Sequence, residues 1–170
     1  AYALFSHIGG GDNTAVGHSA LYSTTGSWSN TAVGSYALYS NHDGDDNTAV
    51  GESALYSDTT GIYNTGTGAF VLKNNTTGSN NAAYGFMALE INRLGSNNTA
   101  LGFQALRDNN SNSNTAVGNL SLSRCKGQRN IALGDSAGIR VIHGDNNIDI
   151  GNAGGVAAES NTIRIGTPGT

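Results

Sequence analysis

The sequence is short of almost everything that marks the common protein classes. It has one Pro, one Cys and one Trp, and 12% of its 170 residues are charged. Gly does not recur every third residue and Pro is nearly absent, which excludes collagen. Disordered chains of this polarity carry more charge and more Pro. The lone Cys125 cannot form an intrachain disulfide. No apolar run reaches the 18 residues of a membrane span, and no signal-peptide pattern is present. No Lys or Arg precedes Lys73, and no basic stripe appears after it, so nucleic acid is not an expected partner. The charge is uneven: residues 1–72 hold six acids and no base, and the remainder eight bases and six acids.

What is abundant is Gly, Asn, Ser and Thr, which fill 80 of the 170 positions. These are poor residues for a helix interior, which argues against a helical bundle. They suit a fold with many turns between short strands.

The abundance is periodic. Asn13-Thr-Ala-Val-Gly17 returns as Asn30–Gly34 and Asn47–Gly51, then with variation as Asn64–Gly68, Asn81–Gly85 and Asn98–Gly102. It continues as Asn114–Gly118, Asn130–Gly134, Asn147-Ile-Asp-Ile-Gly151 and Thr162-Ile-Arg-Ile-Gly166. The closing glycines are 15–17 residues apart. An Ala-Leu pair follows most of them (Ala20-Leu21, Ala37-Leu38, Ala54-Leu55), and a Gly often precedes the anchor Asn by three (Gly44, Gly61, Gly78). Units this short cannot hold a helix pair. They fit two strand-length pieces and two turns, one coil of an all-β, parallel β-solenoid whose coils stack at about 4.8 Å. Residues 1–170 read as one repeat domain, regular over 1–146 and divergent over 147–170. Ala3-Leu4 stands without its preceding Asn-Thr-Ala-Val-Gly, so the chain is expected to begin inside a coil of a longer protein.

Strand alternation places Thr14 and Val16 on one face and Ala15 on the other. Hydrophobicity points the Thr/Val/Ile face into the coil, opposite the Leu21 column. The column Ala15, Ala32, Ala49, Ala83, Ala100, Ala116 and Ala132 then lies outside, where close approach of another subunit would explain its small residues. A thin coil buries little surface alone, so oligomerisation is expected.

Other columns carry candidate sites. Phe5, Tyr22, Tyr39 and Tyr56 lie 17 residues apart and form an aromatic ladder, structural or glycan-contacting. Lys73, Glu90 and Arg107 continue it as alternating charge. Asn13, Asn30, Asn47, Asn64, Asn81, Asn98, Asn114, Asn130 and Asn147 form a turn ladder, each suited to left-handed φ. Gly134-Asp-Ser-Ala-Gly138 has the spacing of a nucleophile elbow, but Gly51-Glu-Ser-Ala-Leu55 shows it to be a repeat column. Asn41-His-Asp-Gly-Asp-Asp46 clusters three carboxylates without a Ca²⁺ loop spacing. His7, His18, His42 and His143 share no column. No catalytic set, cofactor or metal site is expected.

The motif Asn-Thr-Ala-Val-Gly-x-x-Ala-Leu resembles the head repeats of YadA-like trimeric autotransporter adhesins. It resembles still more the shafts of phage-type tail fibres and surface proteins that end in an endosialidase-type intramolecular chaperone; Asn147-Ile-Asp-Ile-Gly-Asn-Ala-Gly-Gly and Ser160-Asn-Thr-Ile-Arg-Ile-Gly-Thr are similar to the segment before that chaperone. The resemblance implies a left-handed β-roll or related solenoid, a homotrimer, an extracellular, cell-surface or virion location, and work in attachment and spacing. A cell-surface glycan or protein receptor would be its partner. A self-assembling filament subunit is the alternative reading. An ice-binding solenoid is weaker, because its Thr column is expected to face inward.

Overall fold

The computed structural model describes residues 2–166. It is a β-solenoid with ten parallel strands stacked in chain order. The strands are β1 (Thr14–Val16), β2 (Thr31–Val33), β3 (Thr48–Val50), β4 (Thr65–Thr67), β5 (Ala82–Tyr84), β6 (Thr99–Leu101), β7 (Thr115–Val117), β8 (Ile131–Leu133), β9 (Ile148–Ile150) and β10 (Ile163–Ile165). Register is one repeat per strand: Thr14 pairs with Thr31, Ala15 with Ala32, Val16 with Val33. The same columns continue to Ile163 on Ile148. Coils are numbered below by the strand each contains.

Each coil has one strand rather than two. The Ala-Leu side still bonds coil to coil, through Leu21 N to Ala37 O at 3.0 Å and Ser23 N to Tyr39 O at 3.0 Å. Its backbone, however, turns through left-handed φ twice, as at Ser53 (53°) and Leu55 (51°). Alternation fails there, and consecutive residues Ala54 and Leu55 both point inward and are buried.

This local geometry reverses the expected facing of the strands. Ala32, Ala49, Ala83, Ala100, Ala116 and Ala132 are fully buried inside the single chain, and Ala15 packs on the same core. The Ala column is therefore not a subunit contact. With Ala54 and Leu55 both projecting from the opposite wall, only a small side chain fits on the strand facing them. Coil 4 shows how tight the fit is. Gly66 replaces Ala, Val71 replaces the opposing Ala, and a Cβ on Gly66 would lie 3.0 Å from Val71 Cγ1. Thr and Val are left on the outside: Val16 is 58% exposed, Leu101 49% and Ile165 74%.

Glycine is required where coils touch through backbone. Gly51 has φ 135°, and a Cβ there would sit 2.4 Å from the Gly68 carbonyl oxygen. That contact recurs from Gly17 to Gly118 and explains why the motif closes on Gly in those coils.

Candidate functional site

The anchor asparagines form the ladder that their spacing implied. Asn30 Oδ1 accepts the Asn47 main-chain N–H at 2.9 Å, and Asn30 Nδ2 donates to Gly44 O at 2.8 Å. Asn47 does the same for Asn64 N at 2.9 Å and Gly61 O at 2.7 Å. The pattern runs on to Asn147, which accepts from Thr162 N at 3.2 Å. Each Asn therefore stitches its coil to the next with two bonds, buried from Asn30 to Asn147. The left-handed residue is not the Asn but the one before it: Asp46 has φ 56°, Tyr63 58° and Asn80 58°.

A second buried polar column escaped the sequence reading. Three residues after each core Leu stand Thr24, Asn41, Asp58, Asn75, Asn92, Asn109 and Cys125, all fully buried. Asn75 Nδ2 donates to Asp58 Oδ1 at 2.8 Å, and Asn92 Nδ2 to Asn75 Oδ1 at 3.1 Å. Within its own coil each amide also closes a turn: Asn41 Nδ2 donates to Gly44 O at 2.8 Å, Asn75 Nδ2 to Gly78 O at 2.9 Å and Asn92 Nδ2 to Gly95 O at 2.8 Å. Asp58 is the one acid in this column. Its Oδ1 accepts from Asn75 Nδ2 and the Gly61 N–H bonds the carboxyl, but its buried Oδ2 has no side-chain or main-chain partner at hydrogen-bond distance. Burial pushes the carboxyl up to about 8, against the lowering effect of those two bonds. Burial likewise pushes the Cys125 thiol up to about 11.

The aromatic ladder is stacked. Centroids are 5.3 Å apart for Phe5–Tyr22, 5.0 Å for Tyr22–Tyr39 and 5.0 Å for Tyr39–Tyr56, with interplanar angles of 11°, 10° and 3°. Tyr36 tilts against Tyr39 and Tyr56 at 5.8 and 6.3 Å. Ring faces inside the stack are occupied by neighbouring rings, so edges and phenol groups meet solvent. Loss of hydration within the stack holds the Tyr39 phenol above its ordinary value, with Tyr56, Tyr22 and Tyr36 adding to it. The charged continuation does not pair along the column. Lys73 Nζ lies 5.1 Å over the Phe70 ring, and Arg107 bonds Gln104 Oε1 at 3.3 Å. Each cation finds a partner within its own coil.

The remaining motifs serve the turns. Ser136 is a left-handed residue, φ 53°, whose hydroxyl meets Asp135 Oδ2 at 3.2 Å. Asp45 Oδ1 accepts the Trp28 N–H at 2.7 Å, and His7 Nδ1 meets Thr24 Oγ1 at 2.7 Å. Among the described residues no group of three or more His, Cys, Asp or Glu is placed to hold a metal ion. Nor do those residues contain a helix long and apolar enough to cross a membrane. In the divergent coils 9 and 10 the Ala column becomes Asp149 and Arg164. Asp149 is buried, 4.0 Å from the Arg164 guanidinium, which also pairs with Glu159.

A surface groove of about 540 Å³ crosses coils 3–6, lined by Ser57, Asn74, Thr76, Arg93, Leu94 and Asn110. In coil 4 its lining residues Asn74 and Thr76 flank Asn75, which is fully buried. No family model, curated protein or solved structure matches the chain.

Proposed function

We propose that the chain is a non-enzymatic structural and adhesive fibre segment, a homotrimer displayed outside the cell or on a virion, which spaces and presents attachment surfaces. The observation that carries this reading is the outward face of the ten-stranded sheet. Its Val column is aliphatic or aromatic in nearly every coil, and Val16, Tyr84, Leu101, Leu133 and Ile165 are each more than 40% exposed. Phe86 and Phe103 flank it, stacked at 5.7 Å. A continuous apolar strip along a rod is unusual for a free surface and suits association with parallel copies. The trimer contact is thus assigned to the Thr/Val column, in place of the Ala column. The likeness of the repeat to trimeric fibre shafts supplies the number three, and three aligned copies give avidity to any surface they display.

Sedimentation of the purified chain tests this reading. The expected species has three times the 17.3 kDa chain mass, and a stable folded monomer overturns the proposal. Electron microscopy distinguishes discrete short rods from indefinite filaments, the mark of a self-assembling filament subunit.

One observation favours a second reading. The Thr column faces outward, with Thr14 and Thr99 exposed and Thr31, Thr48, Thr65 and Thr115 half-buried, in register at strand spacing. A flat hydroxyl row of this kind can order water. Thermal hysteresis in a nanolitre osmometer would support ice binding, and its absence removes that reading.

A further inference from the structure

We propose that the groove over coils 3–6 is a binding site for a linear carboxylated polysaccharide, with Arg93 as its carboxylate ligand. This rests on the attachment reading above and names what one displayed surface would hold.

The chemistry of the lining carries the inference. Arg93 is fixed through its main chain: its N–H donates to Asn110 Oδ1 at 2.9 Å, and its carbonyl accepts from Thr76 N at 2.9 Å, Thr77 N at 3.1 Å and Thr76 Oγ1 at 2.9 Å. Its guanidinium, by contrast, has no ion pair or hydrogen bond among the described residues. Most other cations are engaged: Lys126 with Asp108, Arg164 with Glu159, Arg129 with Asn146 at 2.7 Å, Lys73 over Phe70 and Arg107 with Gln104. No carboxylate lines the groove, so its free cation faces no internal competitor.

The other walls hold unspent hydrogen-bonding capacity. The side chains of Ser57 and Asn74 have no partner among the described residues. Asn110 uses only its Oδ1, accepting from Arg93 N and Leu94 N, so its amide N–H groups remain free to donate. Alternating amide and hydroxyl groups suit sugar hydroxyls, and Leu94, 59% exposed, offers an apolar flank for a pyranose face. The groove crosses four successive coils, so it runs along the rod and fits an extended polymer better than a compact ligand. The chain as a whole is net negative at −4. Binding of a polyanion therefore has to be local to this cation rather than a general surface effect.

The test is titration of the purified chain, in its native assembly state, with polygalacturonate oligomers at about 150 mM salt, where diffuse electrostatics are screened. Neutral dextran and poly-glutamate are run in parallel. Saturable polygalacturonate binding is expected, weakened about tenfold or more in Arg93→Gln, the range for a hydrogen bond to a charged group. Arg140→Gln, an exposed cation outside the groove, should bind as the unchanged chain does. Circular dichroism confirms that the exposed Arg93 substitution leaves the fold intact. Absence of saturable binding, equal binding by Arg93→Gln, or equal binding of dextran overturns the proposal. Equal, Arg93-dependent binding of poly-glutamate also overturns it and assigns the groove to acidic peptides. Sedimentation of the same samples separates this result from the trimer reading: a trimer that fails to bind refutes the groove alone, and a monomer that binds refutes the trimer alone.

Discussion

Replacing Asp58 with Asn should make the protein more stable, and the gain should grow with pH. Asp58 stands in a buried column of amides, at the repeat position from which Asn41 and Asn75 donate to the carbonyls of Gly44 and Gly78 at 2.8 and 2.9 Å. An ionised Oδ2 can donate nothing there and is left without a partner. A protonated one can act as a donor. The folded state therefore holds a proton that the unfolded chain releases at an ordinary carboxylate value. Because the folded value is raised, to about 8, the native state binds more protons than the unfolded state between roughly pH 4 and pH 8. Stability falls as pH rises through that window and levels off above it. At about 1.4 kcal/mol per unit, three units of separation at pH 7 amount to an upper limit of about 4 kcal/mol. Asp58→Asn restores the missing donor and removes the titration. Denaturant unfolding of both chains from pH 4 to pH 9, at one fixed protein concentration, isolates the effect as a difference. Asp149, also raised by burial, and Glu159, lowered chiefly by its Arg164 hydrogen bond, contribute equally to both chains. The expected difference is near zero at pH 4 and about 2–4 kcal/mol in favour of Asn at pH 8. Equal stabilities at pH 8, or a difference that does not change with pH, would refute the reasoning.

Four further substitutions, two of them combined in one cycle, test other parts of the structure. Asn64→Ala removes the acceptor for the buried Asn81 N–H and one of the two donors to Gly78 O, which keeps Asn75 Nδ2, and should cost about 1–3 kcal/mol in chemical denaturation. Gly66→Ala places a Cβ 3.0 Å from Val71 Cγ1 and should cost about 1–3 kcal/mol. Adding Val71→Ala, which recreates the Ala/Ala pairing of coils 2 and 3, should recover most of that loss in a double-mutant cycle. Arg164→Ala leaves Asp149 buried with no counter-charge. Because Arg164 is partly exposed, the cost should be about 2 kcal/mol at pH 7 and should shrink as pH falls, since burial raises the Asp149 carboxyl and favours its uncharged form.

Register was legible in the sequence because a parallel solenoid places repeats in columns. Once Asn30 and Asn47 occupy one column, Thr31 on Thr48 and Ala32 on Ala49 follow. Facing was not legible in the same way. Alternation separates Thr and Val from Ala but does not say which is inside, and hydrophobicity favours Val. Size decides the matter, because the left-handed turns at Ser53 and Leu55 bring both Ala54 and Leu55 inward, and that conformation carries no sequence signature in Ser or Leu. The Asn41–Asp58–Asn75 column was hidden by its mixed composition. Its only signal was a constant offset of three from the core Leu. In the groove Asn75 is buried between Asn74 and Thr76, a loop property that period alone does not reveal.

The Leu column shows why such a backbone is tolerated. Left-handed φ costs an L-residue about 1–2 kcal/mol, and Leu21, Leu38, Leu55, Leu72, Leu89, Leu106 and Leu122 all adopt it. Burial of a Leu side chain returns about 1.5–3 kcal/mol, so Leu outweighs its own strain by a small margin in each coil. Gly at this position would remove the strain and forfeit the packing. Coil 8 does carry Gly there: Gly138, at φ 64°, sits where a Cβ would come within 2.7 Å of Leu122 Cδ2, so the Leu of the coil below has spread into the space. One coil later the interior holds Asp149 instead of Ala, and the aliphatic core has ended. The margin per coil is too small for any coil to stand alone. The two-bond Asn stitch and the shared Leu column couple each coil to its neighbours, so stability accumulates along the stack. Coils 9 and 10, which lack the Leu and are closed by Arg164 and Asp149, should open at lower denaturant than coils 2–7, measurable as faster amide exchange at Ile163–Ile165 than at Thr65–Thr67.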